Sequence, residues 1–251
     1  MRGDKPSKKL SREEREETDL AMMSRENKLT SLKDLKIILK CKTEGQKELV
    51  NSIKSKEITI CSGLAGTGKT YLACAQALKL LKSSPKKYQK IVLVKSVTTL
   101  KDEEIGFLKG GLEEKMEPFV YSFIHNFEKI IGKSQVSILK NADMISVMPI
   151  AYMRGINLDN SIVIIDEAQN ISIDNIRTIL TRLGSNSKMV FLGDQKQSDN
   201  KRGNVVNALD FMIDNFTDIE EMGLVRLGMD DVVRNPLIKK IEKKFEEISN
   251  N

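Results

Sequence analysis

The chain has 251 residues, 40% of them hydrophobic and 30% charged, with a formal net charge of +6. Such a balance describes an ordinary globular protein of one large or two small domains. No apolar stretch is long enough and uncharged enough to span a bilayer. A lone histidine, His125, argues against a histidine-built metal site or catalytic triad, and the scattered Cys41, Cys61 and Cys74 show no CxxC spacing. The excess of Lys and Arg permits contact with nucleic acid without requiring it.

Residues 1–35 are dense in both charge signs and hold only isolated apolar side chains, which predicts a charged, flexible N-terminal tail. Within it SREEREETDLAMM has the marks of a short helix, with Ser11 as N-cap and Glu14 three residues on. The N-terminus has no apolar core of a signal peptide, so a cytoplasmic location is expected, and no membrane partner. From residue 36 to residue 251 the pattern reads as one α/β domain. TEGQKELVNSIKS predicts a helix capped by Thr43, with Gln46 in its first turn.

The most informative stretch follows. Ile58 to Ile60 read as a buried strand, Gly63 opens the sequence GLAGTGKT, and an Ala- and Leu-rich run at helical spacing closes it. A strand, a glycine loop and a helix in that order supply the context that a phosphate-binding loop requires. Gly63, Leu64, Ala65, Gly66, Thr67 and Gly68 would turn successive amides toward phosphate oxygens at a helix N-terminus. Lys69 would reach the β- and γ-phosphates of ATP, and the Thr70 hydroxyl would hold Mg²⁺. Cys61 and Cys74 flank the loop on apolar segments, where buried reduced thiols are expected.

Ser83-Ser84-Pro85 marks a turn, and Lys90 to Lys95 (KIVLVK) is a strand of the continuous apolar kind found when helices cover both faces of a parallel sheet. Residues 96–140 break the pattern and predict an insertion over the strand ends. Its aromatics Phe107, Phe119, Tyr121 and Phe123 have two readings, base-stacking platforms or, as is commoner at helical spacing, core. Met144 to Met148 is a third strand. SIVIIDEAQN then delivers Asp166 and Glu167 to the carboxyl end of a fourth, the edge where ligands bind in open parallel sheets. A helix over NISIDNIRTILTRLG leads to a fifth strand, Met189 to Gln197, which brings Gly193-Asp194 and Gln197 to that edge. A helix near Asn204 to Ile213, a short strand MGLVRL and a closing helix with Lys and Glu four apart complete the chain.

Phosphoryl transfer asks chiefly for charge neutralisation and positioning. Lys69 serves the phosphates, Asp166 the Mg²⁺, Glu167 the attacking water, and Gln197 the γ-phosphate or that water. Arg234 is the candidate arginine against the γ-phosphate, within the chain or across a head-to-tail ring interface, and Arg154 is a second candidate. The alternative for Arg234 is an ion pair with Asp230 or Asp231.

Taken together, GLAGTGKTYLA, GFLKGGLEEKMEPF, PIAYMRG, IVIIDEAQN, TRLGSNSKMVFLGDQKQSD and DVVRNPLI resemble, in order, the PhoH-like ATPases. The resemblance runs from roughly Thr43 to Ile241. It implies a P-loop NTPase fold with a RecA-like three-layer parallel sheet, close to the core of superfamily 1 helicases, that binds and hydrolyses ATP. It also implies that Gln46 reads adenine, that Gly193-Asp194 with Gln197 forms the helicase GDxxQ motif, and that the chain assembles into a homo-oligomeric ring, a hexamer by preference. The family is tied to phosphate starvation. Lys95-Ser96, Asn235 and the QSDN sequence depart from its usual pattern, and the composition suits a bacteriophage protein. The expected function is a Mg²⁺-dependent ATPase coupled to RNA or single-stranded DNA. The alternative is a nucleotide-gated switch on a protein partner; a small-molecule kinase fits less well, because Asp166-Glu167 favours water as acceptor.

Overall fold

The apolar runs become the strands of a single sheet, because each strand residue that points up or down meets a helix rather than water. A computed structural model describes residues 30–95, 112–194 and 208–233, together with 237, 240, 241 and 244. The strands are β1 (Ile58–Gly63), β2 (Lys90–Lys95), β3 (Ile145–Val147), β4 (Ser161–Asp166), β5 (Lys188–Gly193) and β6 (Met222–Leu227). All pairings are parallel, in the order β3-β2-β4-β5-β1-β6.

The helices are α1 (Glu44–Ser55), α2 (Lys69–Ser83), α3 (Leu112–Ile131), α4 (Lys133–Asn141), α5 (Ile173–Leu180) and α6 (Ala208–Asn215). Alternate strand residues feed two separate cores. Cys61, Ile91, Leu93, Ile164 and Leu192 pack with α1, α2 and α3 on one face. Ile60, Val92, Val94, Val163 and Phe191 pack with α5 and α6 on the other. That is the expected three-layer α/β sandwich.

Local signals account for several boundaries. Thr43 caps α1, its hydroxyl accepting from the Gln46 amide at 3.2 Å. The helix after DEAQN is split: a 3₁₀ turn at Ala168–Asn170 precedes α5, whose cap is Ser172, accepting from the Asn175 amide at 3.4 Å. The fifth strand stops at Gly193 rather than running on toward Gln197, and the third covers only Ile145–Val147. Gln197 and Arg234 lie outside the described residues, as does Phe107.

The expected tail also ends earlier than residue 35. Leu32 and Leu35 are both 2% exposed and belong to the first core, so the last part of that segment is packed. The insertion contributes α3 and α4, and Phe123 and Phe127 of α3 are fully buried. Phe123 is therefore core. Tyr121, in contrast, is 67% exposed.

Candidate active site at the carboxyl edge of the sheet

The loop between β1 and α2 is shaped by its glycines. Gly66 and Gly68 take φ of +85° and +83°, values at which a side chain is disfavoured. Two consecutive loop carbonyls are held from outside: the Val233 amide donates to Gly66 O at 3.1 Å, and Gln46 Nε2 donates to Thr67 O at 2.9 Å. Within the loop the Thr67 hydroxyl donates to Leu64 O at 2.8 Å. Ala65, Gly66 and Gly68 of the loop line a hollow of about 430 Å³ at the strand ends.

Lys69 lines that hollow and folds back over the loop, its Nζ donating to Gly63 O at 2.5 Å and Leu64 O at 2.9 Å. Burial pushes its pKa below the ordinary lysine value, while the negative charges of Asp194, Asp166 and Glu167 pull it back up. Burial also pushes the Cys61 thiol up to about 12 and raises that of Cys74, so both thiols stay protonated, as expected of buried structural cysteines.

The order of strands decides how the carboxylates meet the loop. β5 lies between β1 and β4, so Asp166 and Glu167, at the end of β4, face the loop across the end of the intervening strand. The Thr70 hydroxyl lies 3.4 Å and 3.3 Å from the two oxygens of Asp166. A hydroxyl and a carboxylate this close suit a small hard cation that takes one or two protein oxygens and keeps water and substrate phosphate for the rest. No cluster of three or more His, Cys, Asp or Glu able to cage a metal occurs among the described residues.

Glu167 has a left-handed backbone, φ +54° and ψ +41°, at the entrance to the 3₁₀ turn. Gln169, 1% exposed, holds it there: Gln169 Nε2 donates to Glu167 Oε2 at 2.8 Å, and Gln169 Oε1 accepts from the Asp194 amide at 3.1 Å. A Cβ on Gly193 would stand 2.6 Å from Gln169 Oε1, so the glycine of the Gly-Asp pair is what lets this glutamine enter. Gln169 and Asn126 of α3, which also lines the hollow, are site residues that the sequence reading did not single out. Gln169 was legible as the glutamine two residues after Glu167. No spacing signal marks Asn126, which the packing of α3 against α2 and β2 brings in.

A second hollow of about 530 Å³ adjoins the first, sharing Gly68 and Tyr71 with it. Gln46 lies on its wall, 3% exposed, with Oε1 accepting from the Lys42 amide at 2.7 Å. Asp231, one of the two ion-pair partners the sequence offered for Arg234, has two hydrogen-bond donors among the described residues. Its carboxylate accepts from the Thr43 hydroxyl and, at 2.9 Å, from the Gly228 amide. The second arginine candidate, Arg154, is exposed and follows directly on a 3₁₀ turn at Ile150–Met153.

A glycine loop between strand and helix, with a carboxylate pair two strands away on the same edge of an all-parallel sheet, defines a P-loop nucleoside triphosphatase fold. The chain matches the family model for PhoH-like protein over residues 38–246 and belongs to that family. A PhoH-like protein of Bacillus subtilis strain 168 is 36% identical over 209 residues, covering 83% of this chain and 64% of the relative. Protein PhoH of Escherichia coli strain K12 is 33% identical over 201 residues, covering 79% and 56%. The chain thus spans somewhat under two thirds of the length of these curated relatives. Among solved structures, the large terminase of a thermophilic bacteriophage in complex with ADP aligns with TM-score 0.47 and 10% identity over 80% of this chain and 49% of that one. Pif1 helicase from Candida albicans aligns with TM-score 0.38 and 17% identity over 76% and 40%. No described helix is long and apolar enough to cross a membrane.

Proposed function

We propose that this protein is a Mg²⁺-dependent ATPase that couples hydrolysis to binding or remodelling of RNA or single-stranded DNA. The observation that carries the ATPase reading is the convergence of Lys69, the Thr70–Asp166 pair and the Gln169-held Glu167 on one hollow. On binding, Lys69 exchanges its two loop carbonyls for β- and γ-phosphate oxygens. Thr70 and Asp166 would hold Mg²⁺, which supplies charge neutralisation on the phosphates when bound.

Glu167 accepts a proton from water as the water oxygen bonds to the γ-phosphorus; the bond to the β,γ-bridging oxygen breaks, and its electron pair leaves with ADP. The adenine is assigned to the second hollow, beside Gln46 and Tyr71. Gln46 spends one hydrogen of Nε2 and one lone pair of Oε1 on the backbone, so one of each is left to read an adenine edge. Arg234 is assigned to the γ-phosphate, across the interface of a homo-oligomeric ring, and Gln197 to sensing that phosphate.

Support for a nucleic-acid substrate comes from α3. Tyr121 stacks on His125 with ring centroids 5.8 Å apart and 8° between planes, and both side chains are exposed, as a base-stacking surface requires. The test is ATP turnover by the full chain with and without single-stranded RNA and DNA. Lys69→Ala is expected to abolish nucleotide binding, and Glu167→Gln to bind ATP while losing about 10²–10⁴-fold in turnover. Full turnover by Glu167→Gln would remove its role. Hydrolysis that no polymer alters would favour the switch acting on a protein partner.

A further inference from the structure

Ahead of α1 the chain runs as an extended strap without helix or ladder bonding, residues 35–42, pinned at its start by Lys82 Nζ on Leu35 O at 2.7 Å and at its end by the Lys42 amide on Gln46. Side chains along such a segment alternate. Leu35, Ile37, Leu39 and Cys41 turn toward the first core. Lys36, Ile38, Lys40 and Lys42 turn the other way and line the second hollow, and Lys129 of α3 lines it as well. Four lysines from two separate elements therefore line one cavity, and no carboxylate is among the described residues that line it.

A merely solvated lysine face would not need a cavity, a second element or a large apolar side chain turned outward in its midst. Here Ile38 is 68% exposed and stands in the same hollow as Tyr71. The apolar pair suits the flat, uncharged part of a ligand, and the ammonium groups suit an anion next to it. ATP alone does not provide that anion. Its charge lies wholly in the triphosphate, which the glycine loop and Lys69 serve, while adenine and ribose are neutral.

We propose that this lysine-ringed hollow is a second phosphate site, for a phosphate carried on the sugar of the bound nucleotide at O3′. The proposal rests on the assignment of the base to this hollow. The same chemistry has two sources: a free nucleotide phosphorylated at both ends, or the first linking phosphate of a strand whose 5′ end occupies the loop. Either ligand places its additional charge on the side of the sugar away from Lys69.

The test compares, by calorimetry on the full chain, ADP, ADP phosphorylated on O3′, and ADP extended from O3′ by one nucleotide. At least one phosphorylated ligand is expected to bind about tenfold or more tighter than ADP, the gain shrinking as salt is raised. Lys129→Gln and the double change Lys36→Gln, Lys40→Gln are expected to erase that gain and leave ADP affinity unchanged. A gain confined to the extended ligand would identify a strand as the source, and a gain for both a free nucleotide. Equal affinity of all three ligands overturns the proposal, as does a lysine variant that weakens all of them alike. Tyr71→Ala tests the base assignment separately: it should weaken ADP itself, and unchanged ADP affinity in that variant would refute the assignment while the first comparison still reports on the lysines.

Discussion

Glu167 holds a backbone conformation that costs a non-glycine residue roughly 1–2 kcal/mol, and the side chain two positions on offsets it. Gln169 donates one amide hydrogen to the Glu167 carboxylate and accepts, through its oxygen, the backbone N–H of Asp194. It thereby ties the ends of β4 and β5 together at the point where the attacking water is assigned. A hydrogen bond to a charged group contributes about 1.5–3 kcal/mol, so Gln169→Leu is expected to lower turnover by about 10- to 100-fold. ATP affinity should stay near that of the wild type, because Lys69 and the loop amides do not touch Gln169. Steady-state rates set beside equilibrium binding check both halves. A loss in affinity with turnover unchanged would assign Gln169 to the ground state instead.

Among the elements, the turn after β6 and the start of α1 behave as one clamp on the phosphate-binding loop. Asp231 joins them through Thr43 and Gly228, Val233 holds Gly66 O, and Gln46 holds Thr67 O. The clamp has no spare room: a Cβ on Gly45 would fall 2.6 Å from Asp231 Oδ1. Gly45→Ala is therefore expected to destabilise the fold by about 1–3 kcal/mol, as overpacking does, and to weaken nucleotide binding through the displaced loop. Urea unfolding and ATP titration of the same variant test this. Unchanged values in both would mean that the two elements hold the loop independently. Through Thr43 and Gly228, Asp231 therefore acts on the loop from the chain segment just ahead of residue 234.

Over the whole molecule, the two edges of the sheet have opposite electrostatic tasks. The carboxyl edge gathers Lys69 with three carboxylates. At the amino edge Lys188, only 5% exposed, donates to the Lys56 carbonyl. Burial and then the neighbouring Lys87 lower its pKa to about 8, against a smaller opposing pull from Glu57. The sign follows from proton counting. Between about 8 and the ordinary lysine value of 10.5 the unfolded chain keeps a proton that the folded chain has released, so stability rises with pH across that window. Below about 8 both states are charged and the burial cost is felt in full. From about pH 7.5 to about pH 10 the urea midpoint of the wild type should therefore rise relative to that of Lys188→Met. An identical difference in both proteins would show that Lys188 titrates normally.

Much of this architecture was legible in the string of residues. Continuous β-branched runs can be buried on both faces only in a helix-covered parallel sheet, so KIVLVK and SIVIID announced their strands and the layers around them. The loop GLAGTGKT carried its chemistry in its spacing, because glycine positions and the Lys-Thr pair are constrained over a few neighbouring residues. The cap at Thr43 was local for the same reason. What distant contacts specify was not legible. Whether Leu32 and Leu35 belong to a tail or to the core depends on the surface of α2 that they meet. Tyr121 and Phe123 are two residues apart in one helix, and only the docking of α3 buries one and exposes the other. Strand order, which sets β5 between the loop and the carboxylates, has no signature in any one segment. The same holds for the lysine-lined hollow, whose two walls come from the strap at 36–42 and from α3. Each wall by itself reads as a solvated face, and they form a cavity only when packing brings them together.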